Sequence, residues 1–283
     1  MPNTRNIRHR IQSVRNTSQI TRAMQTVAAS KMRRAQDAAV QGRPFAQLAM
    51  QFLAQAAKAA EDYTHPLLEA REVRRRAVIL VSTDKGLCGA LNANLFRQAA
   101  ELDAATTMFI AAGRKGAQFL ARAGRNLVAE FPYHETPLFS DAQAIAQMAR
   151  QIFSKKEADE VAVLYPRFVN TLVQKPETVS LLPMNRLWEK ENLSNEPGRE
   201  YLFEPTVPGV MDYLLRYYLD FQILQILQET RASEHSARMV SMKNATENAE
   251  QLLKDLTLAY NKIRQAAITT ELLDNATAQM AIS

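Results

Sequence analysis

The sequence predicts an α/β protein with long helices, in which an antiparallel coiled coil of the N- and C-terminal helices is joined to a central α/β domain. Three observations predict it. Neither Gly nor Pro occurs over the 74 residues from Val210 to Ser283, nor between Asn3 and Gln41. Apolar or small residues recur in alternating steps of three and four along both segments, the period of a coiled-coil seam. Between them, short β-rich runs alternate with helical stretches, the pattern of a parallel sheet with covering helices.

At the N-terminus the stripe runs through Ile7, Ile11, Val14, Ser18, Thr21, Gln25, Ala28, Met32, Ala35 and Ala39. Gly42 and Pro44 are expected to kink or end this helix, with helical composition resuming from Phe45 to Ala60. At the C-terminus the expected seam is Met242, Ala245, Ala249, Leu252, Leu256, Ala259, Ile263 and Ala266. A helix of about 70 residues at 1.5 Å per residue reaches on the order of 100 Å, longer than a compact domain of this mass is wide. Small residues in both seams let two backbones approach, so the two ends are expected to pair antiparallel.

The central segment reads as Rossmann-like. Strands are expected over Ala77–Ser82, Thr107–Ala112, Asn126–Phe131 and Val161–Tyr165, and helices over Ala90–Ala104, Arg114–Ala123 and Asp141–Phe153. Phe168–Val173 and Thr178–Leu182, joined by Gln174–Glu177, suggest a hairpin added at the sheet edge. A polar loop over Glu189–Arg199 leads back to the C-terminal helix. The expected domains are residues 1–65, 66–208 and 209–283.

Composition narrows the function classes. The 283 residues carry one Cys, which excludes a disulfide framework and points to a reducing compartment. No stretch approaches the roughly 18 uninterrupted apolar residues of a membrane span, and no signal-peptide core is present at the N-terminus. Charge is lopsided: residues 1–60 hold ten basic and one acidic side chain, for +9, while the other 223 residues sum to −3. Three partners compete for that arm: nucleic acid, a targeting machinery that reads an Arg-rich leader, or an acidic protein surface. No aromatic residue interleaves with the arginines before Phe45, which weakens nucleic acid. The heptad stripe runs through the basic stretch, which weakens a leader.

Candidate chemistry is sparse. The loop Thr83-Asp84-Lys85-Gly86-Leu87-Cys88-Gly89-Ala90 follows a strand, where phosphates are cradled, but it lacks the third glycine of GxGxxG and the GK[ST] of a P-loop. It reads as a tight turn, and Cys88 as a small buried hydrophobe. Ser233, Glu234 and His235 are adjacent on a helix, point about 100° apart and form no relay. Glu234 with Arg238 and Glu250 with Lys254 are expected as i,i+4 pairs on a solvated face. His9, His65 and His134 show no metal-ligand spacing. No catalytic residue, cofactor or metal is expected.

Longer motifs then resemble one family. Ile7-Arg8-His9-Arg10-Ile11-Gln12-Ser13-Val14-Arg15-Asn16-Thr17, with Ile20-Thr21-Arg22-Ala23-Met24 and Val27-Ala28-Ala29-Ser30-Lys31, resembles the opening of gamma subunits of F-type ATP synthases. Asp84-Lys85-Gly86-Leu87-Cys88-Gly89, the run from Ser233 to Ala245, and Tyr260-Asn261-Lys262 with Arg264-Gln265-Ala266-Ala267-Ile268-Thr269 agree in order.

The resemblance implies a non-catalytic rotor subunit. Its coiled-coil shaft would turn inside a ring of three alpha and three beta subunits, coupling transmembrane ion flow to ATP synthesis or hydrolysis. Its α/β domain would sit beside epsilon and the c-ring, peripheral to the membrane. It implies contact with beta catch loops for Arg264, Gln265 and Thr269, and with an acidic beta lever for Met24, flanked by Arg22, Lys31, Arg33 and Arg34. Tyr201, Leu202, Phe203 and Glu204 match the segment facing the c-ring. The stretch Leu272-Leu273-Asp274-Asn275-Ala276-Thr277 is more polar than the family's tail, and Ala90 replaces a frequent second Gly. With Cys88 alone, dithiol switching is excluded. The family signature begins at Asn3, which favours a bacterial protein on the cytoplasmic face of the inner membrane. The competing enzyme reading is an α/β nucleotide-dependent protein with a coiled-coil dimerisation arm.

Overall fold

The computed structural model describes residues 4–59, 65–184 and 206–282. The loop expected over Glu189–Arg199 and the residues Tyr201 to Glu204 lie outside them. In chain order the elements are α1 (Thr4–Ala59), a 3₁₀ turn (Pro66–Leu68), β1 (Arg76–Val81), α2 (Leu91–Glu101), β2 (Thr107–Ala112), α3 (Arg114–Arg122), β3 (Asn126–Phe131), α4 (Phe139–Ser154), β4 (Glu160–Phe168), β5 (Gln174–Leu182) and α5 (Val207–Ile282). The chain divides into two compact units, Met1–Ala28 with Arg238–Ser283, and Ala29–Ala237.

The first unit is a pair of helices. Along α1 in this unit the buried or half-buried positions are Ile7, Ile11, Val14, Ser18, Thr21, Gln25 and Ala28, the stripe the sequence shows, together with Met24 beside it. Thr21 and Thr246 share a hydroxyl hydrogen bond of 2.7 Å in the seam. Antiparallel counting from that pair sets Ser18 opposite Ala249, Val14 opposite Leu253, Ile11 opposite Leu256 and Ile7 opposite Tyr260.

This corrects the expected C-terminal seam. Two heptad frames share Met242, Ala249, Leu256 and Ile263; the structure uses the frame that adds Thr246, Leu253 and Tyr260. Leu252 is exposed, at 42%, and so is Ala259. Both frames satisfy the three-four alternation, so periodicity alone does not choose between them; the cross-helix threonine pair and the bulk of Tyr260 over Ala259 do.

The second unit is built on a five-stranded sheet of order β3-β2-β1-β4-β5. β1 pairs in parallel with β2 and β4, and β2 with β3, while β5 runs antiparallel to β4. Strand alternation divides the core. Ala77, Ile79 and Val81 of β1 face a cluster with Ile145, Ala149 and Phe153 of α4 and Leu215, Leu219 and Ile223 of α5. Val78 and Leu80 face Leu95 and Ala99 of α2 and Ala117 and Leu120 of α3. Residues i and i+2 of a strand share a face, so one hydrophobic run serves both layers. Gly113, at φ 98°, makes the turn into α3; a Cβ there would lie 2.4 Å from the Ser82 carbonyl oxygen.

Two further expectations change. The hairpin is β4 with β5: β4 continues to Phe168, residues 169–173 form the turn, and Gln174–Glu177, expected as the turn, pair with residues 165–168. Pro176 fits because β5 is an edge strand and Pro lacks a ladder donor. The helix α1 also continues through Gly42 and Pro44. Its second half is anchored by burial of Ala49 and Leu53 in the core, and Phe45 packs on Phe221 with ring centroids 4.7 Å apart. At Gly42 a Cβ would stand 3.3 Å from the Phe221 ring, so glycine allows that approach. Packing outweighs the roughly 3 kcal/mol helix penalty of one proline.

Candidate functional site

The expected site residues fall into separate places. Arg264, Gln265 and Thr269 lie on α5 beyond Ile263, where every described side chain from Arg264 to Thr277 is exposed. The register explains this, because Ile7 already pairs opposite Tyr260 and α1 begins at Thr4. This end of α5 satisfies its own hydroxyls: Thr269 Oγ1 donates to the Gln265 carbonyl at 3.0 Å and Thr270 Oγ1 to the Ala266 carbonyl at 2.9 Å. Gln265 and Thr269 share a face one turn apart, beside exposed Ile268 and Leu272. Among the described residues this apolar row faces solvent.

On α1, Arg22 belongs to the two-helix unit, and its guanidinium donates to Glu250 Oε1 at 2.6 Å. That bond replaces the expected Glu250–Lys254 pairing with a bridge across the two helices; its partners are 69% and 44% exposed, so it contributes little stability. Met24 is half-buried. Lys31, Arg33 and Arg34 belong to the second unit. Arg33 and Arg34 are exposed, and Lys31 forms an ion pair with Glu135 in the loop after β3.

The sequence reading missed a buried polar node. Arg231 of α5, its side chain only 5% exposed, pairs with Asp84 at 2.8 Å and Glu234 at 2.7 Å. It also donates to the Tyr133 carbonyl at 2.9 Å and lies over the Tyr133 ring at 4.0 Å. Burial works against the Arg231 charge, but Tyr133, Glu234 and Asp84 outweigh it and hold the guanidinium above its ordinary pKa. Asp84 Oδ1 in turn accepts from the Arg114 N–H at the start of α3, at 3.1 Å. Glu234 and Arg238 are therefore not on a solvated face; both are buried, as is every residue from Thr230 to Arg238. The legible signal was the run of small residues, Ala232, Ser233, Ser236 and Ala237, which permits a helix to be enclosed on all sides.

The node lies at the C-terminal ends of the strands. Phe168, the last residue of β4, donates its N–H to Glu229 Oε1 at 3.1 Å, and Ser236 donates to the Thr171 carbonyl at 2.7 Å. In this strand order β1 and β4 flank the switch point where open α/β sheets take their ligands. Here one stretch of α5, from Glu229 to Ser236, bonds to the loops that follow β1, β3 and β4 and fills that position. Cys88 is buried against Leu91 and Ala237, as a small hydrophobe would be. Among the described residues no helix is long and apolar enough to cross a membrane.

Comparison with known proteins agrees with this geometry. A family model described as ATP synthase matches residues 3–282. The chain is 45% identical over 292 residues to the ATP synthase gamma chain of Opitutus terrae, covering 99% of each chain. It is 41% identical to that of Methylacidiphilum infernorum, covering 100% of both. Among solved structures, the rotor of the Euglena gracilis mitochondrial ATP synthase matches with a TM-score of 0.70 at 19% identity, over 94% of this chain and 98% of the other. A chain of the central stalk and c-ring of the Tetrahymena thermophila mitochondrial enzyme matches with a TM-score of 0.61 at 26% identity, over 80% and 99%.

Proposed function

Because the chain belongs to the ATP synthase gamma chains, central-stalk subunits that are not themselves catalytic, we propose that it turns inside a ring of three alpha and three beta subunits. There it couples transmembrane ion flow to ATP synthesis or hydrolysis. The observation that carries this reading is the end of α5, where every described side chain from Arg264 to Thr277 is exposed and an apolar row through Ile268 and Leu272 has no partner among the described residues of its own unit. A helix that must slide against several different surfaces in turn needs such an end, and from Val210 onward α5 supplies it without a Gly or Pro hinge.

In this reading Arg264, Gln265 and Thr269 meet the beta catch loops. Met24, with Arg22, Lys31, Arg33 and Arg34, meets an acidic lever of the beta subunits, for which a +9 arm is electrostatically suited. Tyr201, Leu202, Phe203 and Glu204 face the c-ring, and the body of the domain, residues 66–208, lies beside epsilon. Residues 1–65 and 209–283 act as the shaft. The complex stands at the cytoplasmic face of a bacterial inner membrane, with this chain peripheral to it. Each beta site changes nucleotide affinity as the shaft's asymmetric face turns past it, a coupling between distant sites through a switch in conformation.

The rival reading, a nucleotide-dependent enzyme, requires an open crevice at the switch point, and α5 occupies it through Arg231 and Glu229. Reconstitution with alpha and beta subunits tests the proposal. ATP hydrolysis by the mixture should depend on this chain and fall when residues before Ser30 are removed, whereas the isolated chain should show no nucleotide binding in a calorimetric titration. Nucleotide binding by the chain alone would support the enzyme instead.

A further inference from the structure

The seam of the two-helix unit is written in the sequence twice. On the face of α5 turned to α1, Thr246, Leu253 and Tyr260 alternate with Met242, Ala249 and Leu256. One residue earlier, Ala245, Leu252 and Ala259 complete a second heptad frame on the same three shared positions. Leu252 stands 42% exposed beside the seam, and Ala245 is half-buried. The core lines of the two frames differ by half the angular step of one residue, roughly 50° about the axis of α5. The stripe of α1 serves either frame unchanged. The Thr21 and Thr246 hydroxyls lie 2.7 Å apart in the seam, and each also reaches a carbonyl of its own helix, that of Ser18 at 3.0 Å and that of Met242 at 2.8 Å. Two hydroxyl protons serve three contacts, so two hydrogen bonds form whether the threonines touch or part.

We propose that this seam is a two-position torsional joint, in which α5 turns by about 50° against α1 from the observed frame to the one that seats Ala245, Leu252 and Ala259. The proposal rests on the rotor reading for the source of torque. From Val210 to Ser283 α5 has neither Gly nor Pro at which to swivel, so a twisting load falls on the seam. The turn exchanges leucine for leucine, at positions 253 and 252, and loses chiefly the half-buried Tyr260, which holds the observed frame at rest. Thr246 keeps that frame easy to leave. A buried valine there would add apolar contact that the turn must break, whereas the hydroxyl pair parts without loss of a hydrogen bond. The joint also accounts for an exposed leucine at heptad spacing, since Leu252 is a seam residue of the second position.

The test is disulfide trapping in a Cys88→Ala chain, alone and assembled with alpha and beta subunits, exposed to oxidised glutathione. Val14→Cys with Leu253→Cys reports the observed frame, and Val14→Cys with Leu252→Cys the second. Val14→Cys with Lys254→Cys, on the other side of the seam, reports fraying. At rest the 253 pair should close roughly tenfold faster than the 252 pair, a ratio set by the partial burial of Tyr260. ATP turnover in the assembled complex should raise the 252 rate and leave the 254 rate unchanged. Thr246→Val should slow closure of the 252 pair roughly fourfold, the effect of one further buried methyl group, and Tyr260→Ala should speed it. Equal acceleration of the 252 and 254 pairs would overturn the proposal, since the seam then only frays. So would a 252 rate indifferent to turnover, or one that Thr246→Val leaves unchanged in a chain with wild-type circular dichroism. A chain that does not join the ring contradicts the rotor reading instead, and the response of the isolated chain to Thr246→Val and Tyr260→Ala then decides the joint.

Discussion

Arg231 is a buried charge that the fold must compensate. Its charge is buried among Asp84, Glu234 and the Tyr133 ring, so its removal takes the guanidinium away from two carboxylates at once. Breaking a buried pair from one side costs about 3–5 kcal/mol. Arg231→Ala should therefore lower the unfolding free energy by that amount in denaturant titration, while Arg74→Ala, which removes an exposed pair with Glu72, should change it little. A second residue gives a pH dependence. Burial pushes the Asp141 carboxyl up, but the Leu138 N–H, the His134 ring and the His134 N–H bring it below the usual carboxylate range. A depressed carboxylate stabilises above its unfolded pKa, and that stability is lost as pH falls through the folded value. Asp141→Asn should remove about 1 kcal/mol near neutral pH and flatten the decline below about pH 4. Equal pH profiles for the two proteins would contradict it. None of this was legible residue by residue. Glu234 and Arg238 sit at helical i,i+4 spacing, and only the enclosing loops reveal that their face is inward.

At the scale of elements, periodicity told more. The α1 stripe, β3 and the start of α3 follow directly from spacing, because each has one buried side and a matching period, and β2 from a short apolar run buried on both faces. The C-terminal seam did not, because two heptad frames fit the same string. The structure separates them in a measurable way: Leu253→Ala should destabilise the two-helix unit by about 1–2 kcal/mol, as a half-buried leucine does, while Leu252→Ala should stay within about 0.5 kcal/mol. Equal losses in thermal unfolding would mean that the frame is not the one described. Local breaker chemistry was also overruled. Pro44 sits inside α1 because burial of Ala49 and Leu53, with the Phe45 ring packed on Phe221, carries the helix past it. The β4–β5 hairpin was misplaced for a related reason, since Pro176 looks like a turn residue yet is tolerated on an edge strand.

For the whole molecule, the sequence motifs carried the identity and the geometry supplies its physical sense. The scarcity of breakers belongs to α5, an uninterrupted helix of 76 residues whose far end stays exposed. A sheet of the kind that ordinarily binds nucleotides has its crevice filled by that same helix. The charge excess of the first 60 residues is partly answered inside the chain, by Glu250 at Arg22 and Glu135 at Lys31, so the arm's attraction for acidic partners is tempered rather than maximal. The most direct test of the rotor claim is to tether the assembled complex by its beta subunits, attach a probe through a Lys175→Cys substitution on the exposed edge of β5, and supply ATP. The account predicts rotation of the probe in a single direction, abolished when α5 is truncated after Ile263. A chain that joins the ring while its probe stays fixed during ATP turnover, or turnover unaffected by omitting the chain, would contradict it.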